Sequence, residues 1–226
     1  MWKSAANLFF PEFCAGCNEA LATGEEVICT SCRHHLPMTN HHELHQNELW
    51  QKFYGRLDIQ FVGAQFYFHK KGIVQQLIHN LKYRGNEQVG KAIGDWYGSL
   101  LAEHSALQDL DEIIPTPLHK RKLRERGYNQ VTTFGKALSR KLEIPYNDTL
   151  LFRSQYSSSQ TFKNLLDRSM SNKPMFYVKN PEKHRNKHFL LIDDVITTGA
   201  TLEACGRALM QIENAKLSIV CMAMSH

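Results

Sequence analysis

A chain of 226 residues with 42% hydrophobic and 22% charged residues has the make-up of an ordinary soluble globular protein, long enough for one α/β core and a small appendage. The net charge of +5 is uneven: residues 1–55 carry three Lys/Arg and six Asp/Glu, whereas residues 56–226 carry 24 and 16. The larger part is therefore the one to meet anionic ligands, whether phosphates, pyrophosphate or nucleic acid, although charge alone does not choose among them. No stretch approaches the ~20 apolar residues of a membrane span, and the run Leu8-Phe9-Phe10 after Lys3 is too short for a signal core and meets Pro11. A cytoplasmic address is expected, where six cysteines are metal ligands or free thiols rather than disulfides.

In chain order, the first signal is a pair of Cys-x-x-Cys knuckles, Cys14-Ala-Gly-Cys17 and Cys29-Thr-Ser-Cys32. Four thiolates complete a tetrahedral zinc and leave no open position, so a structural Zn2+ site is expected. Redox chemistry at one knuckle is the competing use. His34, His35, His41, His42 and His45 follow, as extra ligands or as a solvated stretch. Residues 33–55 are polar and read as a connection, which sets a division into a zinc-binding module with linker over 1–55 and a main domain over 56–226. Phe61 to Phe68 reads as a strand with a small turn element at Gly63-Ala64. Ile73 to Tyr83 carries apolar residues at helical spacing, and Val89 to Ala106 continues in that style. Glu112-Ile113-Ile114 is a short buried strand running into Pro115-Thr116-Pro117.

The segment Lys120 to Arg126 packs five fixed positive charges into seven residues, before Gly127-Tyr128-Asn129-Gln130. Arg124 and Arg126 are candidate pyrophosphate ligands because guanidinium binds phosphate in a bidentate fork. Tyr128 offers a stacking surface if the segment meets single-stranded nucleic acid instead. A solvated basic helix is the plainer alternative. Phe134 to Leu142 is helical, Tyr177 marks a strand, and Gln155 to Ser171 is a polar loop. The apolar run Phe189 to Ile192 ends in Asp193 and Asp194, followed by Thr197, Thr198, Gly199, Ala200 and Thr201 and then a helix. Backbone N–H groups of such a loop cradle a phosphate, the helix adds its positive dipole end, and the two acids sit where ribose hydroxyls need acceptors. Leu202, Cys205, Leu209 and Ile212 share a helix face, and Leu217 to Met224 is a late strand, which makes Cys205 and Cys221 core residues. Alternating strands and helices imply an α/β fold with a mainly parallel sheet covered on both faces.

The run from His188 to Thr201 resembles the phosphoribosyl-pyrophosphate (PRPP) loop of type I phosphoribosyltransferases. The resemblance implies that Asp193 and Asp194 bind the ribose hydroxyls, that Thr197 to Thr201 bind the 5-phosphate, and that Mg2+ accompanies PRPP. It also places the Gln155 to Ser171 loop, with Gln160-Thr161 and Arg168, where those enzymes carry a mobile lid. Together with the two cysteine knuckles, Leu81-Lys82-Tyr83-Arg84-Gly85, Pro115-Thr116-Pro117-Leu118-His119 and Arg124-Glu125-Arg126-Gly127-Tyr128-Asn129-Gln130, the whole chain resembles the ComF family, GntX-like proteins included. That resemblance implies a phosphoribosyltransferase-like domain behind a four-cysteine zinc module. It leaves two functions open: phosphoribosyl transfer to a nitrogenous acceptor, with Asp193, Asp194, Arg124 and Arg126 as the catalytic set, or non-catalytic handling of single-stranded DNA alongside DNA-uptake proteins. The histidine-rich linker matches nothing in the family pattern.

Overall fold

The computed structural model describes residues 11–44, 46–154 and 175–225. Its strands in chain order are β1 (Phe61–Tyr67), β2 (Glu112–Pro115), β3 (Leu151–Arg153), β4 (Phe176–Val178), β5 (His188–Ile196) and β6 (Lys216–Met224). Its helices are α1 (Thr30–His34), α2 (Glu48–Phe53), α3 (Ile73–Tyr83), α4 (Gln88–Leu101), α5 (Lys120–Arg126), α6 (Thr132–Leu142) and α7 (Ala200–Leu209). Four strands form a parallel sheet in the order β1-β6-β5-β2, and β3 pairs with β4 as a separate antiparallel ribbon. The expected α/β architecture is present, and its parallel strands are nearly continuous apolar runs because both faces are covered.

The apolar stripes of α3, α4 and α6 bury one face of the sheet, with Leu77, Leu81, Ile93, Tyr97 and Phe134 fully enclosed. On the other face Leu49 and Phe53 of α2 join Leu202, Cys205 and Leu209 of α7. Cys205 and Cys221 are both buried there, as their apolar surroundings suggested. Gly63 is no turn element. It lies inside β1, where a Cβ would stand 2.7 Å from the Tyr97 hydroxyl oxygen, so the strand has a glycine because a helix side chain crosses it closely.

The polar stretch after the cysteines is built into the sheet edge. Met38 bridges Phe66 in antiparallel fashion, Tyr67 N donates to Pro37 O at 2.8 Å, and Thr39 N donates to Gln65 O at 3.1 Å. This occupies the otherwise open edge of β1. His41 is buried, its Nδ1 accepting from Ala64 N at 3.2 Å and its Nε2 lying 3.1 Å from Glu48. Burial holds its pKa below the ordinary imidazole value, so it serves as a neutral hydrogen-bonding group.

At the amino ends of the strands, His188 Nδ1 lies 2.7 Å from Asp109 and its Nε2 2.8 Å from Ser218 Oγ. The spacing is that of a nucleophilic triad, but His188 and Ser218 are both buried, so no substrate reaches the hydroxyl. Lys216 and His188 pull the Asp109 carboxyl down to about 2, as expected of a structural ion cluster.

Candidate functional site

The acids do not end the strand: β5 runs through Asp193 and Asp194 to Ile196. Because strand side chains alternate, the two carboxylates leave the sheet on opposite faces. Asp194 is buried and fully engaged, with Lys82 Nζ donating to Oδ1 at 2.8 Å and Gln130 Nε2 donating to Oδ2 at 2.7 Å. Arg126 stands behind it, donating to Gln130 Oε1 at 2.6 Å. A chain of charge-assisted hydrogen bonds therefore fixes the Asp194 carboxylate from α3 and from the segment after α5.

Asp193 is different. It is half-buried, opposite Cys221 in the strand register, and its Oδ1 accepts the Asp194 backbone N–H at 2.8 Å. Burial first and the neighbouring Asp194 second push its carboxyl up to about 7, only partly offset by Lys82 and Thr116. Such a group is costly as a bare anion and wants a cation or hydroxyl donors. Between the ordinary carboxyl value of 3.8 and about 7, the folded protein holds a proton that the unfolded chain has released. Stability contributed by this group is thus fully kept at low pH and lost as pH rises towards and through the folded value. Asp193→Asn should therefore melt higher than wild type at pH 8, by about 1–3 kcal/mol of stability, with the gain vanishing near pH 4. Thermal melts at both pH values check this; equal shifts at the two would contradict it.

Beyond β5, Thr197 and Thr198 are exposed and Gly199 takes the left-handed conformation at φ 79° before α7 begins at Ala200. Glycine suits that turn on two counts: its φ, and a Cβ there would lie 3.3 Å from the Phe53 ring. Thr198 Oγ1 sits 3.4 Å from Ala200 N, while the remaining first-turn N–H groups of α7 have no partner within the helix itself. Thr116, after β2, lies beside this strand end, its hydroxyl donating to Ile192 O at 2.9 Å. The arrangement is a loop at the carboxyl end of a central parallel strand, able to take an anion next to two carboxylates.

The basic segment forms α5, a short exposed helix opened by His119, whose Nδ1 accepts from Arg121 N at 3.2 Å, and closed by left-handed Gly127. Arg126 reaches the acidic network, whereas Arg124 stays on the exposed face of α5. Tyr128 is half-buried and donates its hydroxyl to Leu81 O, so it anchors the loop instead of offering a free ring. The exposed ring is Tyr83, with the Arg126 guanidinium 5.2 Å from its centroid. A cavity of about 260 Å3 opens there, lined by Lys82, Tyr83, Gly85, Lys122, Glu125, Arg126 and Tyr128. No local sequence pattern marks Lys82 and Gln130 as the residues that hold Asp194. The one available signal was that a buried aspartate needs a cation and donors. The Gln155 to Ser171 loop, with Gln160, Thr161 and Arg168, falls entirely outside the described residues.

In the N-terminal part, the sulfur atoms of Cys14, Cys17, Cys29 and Cys32 all lie within 4.8 Å of one another. A tetrahedral zinc with bonds of about 2.3 Å needs sulfurs about 3.8 Å apart, and Cys17 and Cys29 stand at 3.8 Å. Backbone N–H groups of Gly16 and Cys29 donate to Cys14 Sγ at 3.3 and 3.2 Å, and Cys32 N to Cys29 Sγ at 3.4 Å. Although burial opposes it, the backbone amides of Cys29, Cys17 and Gly16 pull the Cys14 thiol down to about 7. Burial and the three neighbouring sulfurs push Cys32 the other way. Four thiols this close ionise together only around a cation, and the donor set fits a closed structural metal site such as zinc. No histidine joins that group among the described residues.

A family model described as phosphoribosyl transferase domain matches residues 132–226, the stretch that contains the acidic pair and the phosphate-sized loop. The chain is 26% identical over 220 residues to the DNA utilization protein YhgH of Escherichia coli (strain K12), covering 92% of this chain and 88% of that protein. It is 25% identical over 200 residues to the competence protein ComFC of Bacillus subtilis, covering 83% and 79%. Against the competence protein F of Haemophilus influenzae it is 34% identical over 105 residues, 45% of each chain.

Proposed function

This chain, which carries a four-cysteine cluster ahead of a phosphoribosyltransferase domain, belongs to the ComF family, and from that premise we propose that it binds PRPP or a related ribose phosphate with Mg2+ and transfers the phosphoribosyl group to a nitrogenous acceptor. The observation that carries this reading is Asp193: a half-buried carboxyl raised to about 7 beside a second carboxylate, at the mouth of a loop shaped for an anion. Ribose hydroxyls donating to Asp193 would favour its ionised form and relieve the cost of burying it. The N–H groups of Thr197 to Thr201 take the 5-phosphate, with Gly199 allowing close approach. Arg126 and Lys82, on the cavity side of Asp194, are placed to meet a pyrophosphate.

In the transfer, a bond forms between an acceptor nitrogen and the ribosyl carbon as the bond from that carbon to pyrophosphate oxygen breaks. The pyrophosphate leaves with the electron pair and the acceptor nitrogen gives up its proton. Mg2+, when bound with PRPP, supplies charge neutralisation on the pyrophosphate. The protein's part is to orient the ribose and hold positive charge where the leaving group gathers negative charge.

A second reading is supported by the relatives' names, DNA utilization and competence, and by the exposed basic face of α5 next to Tyr83. It makes the chain a handler of single-stranded DNA that keeps the fold without turnover. One comparison separates the two. Pyrophosphate release from PRPP across a panel of nitrogenous acceptors is expected of the transferase. Salt-dependent single-stranded DNA binding with no release on any acceptor would instead favour the handler.

A further inference from the structure

Helix α2 lies on the module side of the division expected from sequence, yet its contacts run to the phosphate-sized loop. Its amino end is tied to β1: Asn47 Nδ2 donates to Val62 O at 2.7 Å, and Glu48 accepts the Tyr67 hydroxyl at 2.9 Å while facing buried His41. Its carboxyl end meets the loop. Phe53, fully buried, closes on Gly199, and Lys52 Nζ donates to Thr197 O at 2.9 Å. Just beyond the helix, Arg56 lies 3.5 Å from Glu203 in the first turn of α7.

Residues 197–201 contain no charged side chain, and the acid in the first turn of α7 is Glu203. A phosphate at this loop would meet backbone dipoles and hydroxyls, with Glu203 opposing it. Arg56 and Arg207 pair with Glu203 and mute that opposition. The ammonium of Lys52 has three donors, of which the Thr197 carbonyl takes one, and the side chain is half-exposed at the loop.

We propose that Lys52 is a phosphate-binding residue of this site, and that α2, set by the His41–Glu48 pair and the packing of Phe53, belongs to the ribose phosphate site and not to the cysteine module. The histidine-bearing stretch then has a use: it fixes the helix that delivers the lysine. This rests on the ribose phosphate reading above.

The test is titration of ribose 5-phosphate, and of PRPP with Mg2+, into the full chain and its Lys52→Met and Lys52→Arg variants across a salt series. Lys52→Met should weaken ribose 5-phosphate binding roughly tenfold or more, as expected for losing a charge-assisted contact. Its affinity should also fall less steeply with salt than that of wild type, and Lys52→Arg should restore most of both. Should Lys52→Met melt early, Lys52→Gln, which can still donate to Thr197 O without the charge, carries the same expectation. Wild-type binding with unchanged affinity and salt response in the uncharged variants overturns this proposal alone. Equal weakening in Lys52→Arg and Lys52→Met with no change in salt response also overturns it, since the lysine would then only brace the loop. No binding of either ligand by wild type overturns both this proposal and the ribose phosphate reading.

Discussion

An Asp193→Asn, Asp194→Asn double variant is expected to lose nearly all measurable affinity for PRPP with Mg2+, each substitution alone weakening it by about 1–3 kcal/mol. The two single variants should differ in character. At Asp193 the substitution removes a carboxyl already pushed up to about 7 in the free protein, so the fold gains stability at neutral and high pH while the ligand loses an acceptor. At Asp194 it removes the anion that Lys82 and Gln130 both address, leaving Lys82 without its partner. That variant should bind worse and melt lower. Wild-type affinity should itself rise as pH climbs towards and past 7, because hydroxyl donors select the ionised Asp193 and binding then releases a proton. Calorimetry in buffers of different ionisation heat reads both affinity and proton release. Unchanged affinity in the double variant would remove the acidic pair from the site.

The second large effect is expected at the four cysteines. Purified protein should carry one zinc per chain, and its removal should release the module, given that structural zinc supplies about 10–16 kcal/mol to isolated small domains. The consequences should spread, because Cys14, Ala15, Ile28 and Cys32 share a continuous core with Val74 and Leu77 of α3, and Asn80 donates to Ala15 O at 2.7 Å. Since α3 also presents Lys82, metal loss should loosen the hold on Asp194. Elemental analysis together with amide hydrogen exchange checks this, with fast exchange expected over residues 14–36 after chelation. Absence of zinc with a Cys14–Cys17 disulfide in fresh, reduced protein would show the knuckles to be redox groups.

The parts of the molecule written as local pattern were legible in the sequence. The apolar run of β5, the acids and the Thr/Gly loop name themselves by adjacency, and two cysteine pairs at short spacing need no fold to be recognised. The contacts that were not legible join residues far apart in the chain. Lys82 and Asp194 are separated by 112 positions, and Lys52 and Thr197 by 145. Only the parallel topology brings them together, and no periodicity encodes it. Two local misreadings have plain causes. The acids looked like a strand end because charge is rarely carried inside a parallel strand, yet β5 continues through them since Lys82 and Gln130 satisfy one of the pair. The linker looked solvated because it is polar, although its Thr39 and His41 are hydrogen-bonding partners of an edge strand.

Calorimetric titration of PRPP with Mg2+ into the zinc-loaded full chain decides whether the acidic pair and the Thr/Gly loop form a ribose phosphate site. Saturable binding at one site per chain is expected, accompanied by proton release below about pH 7 as Asp193 ionises. Heats no larger than those of dilution, across that pH range and at low salt, would contradict it.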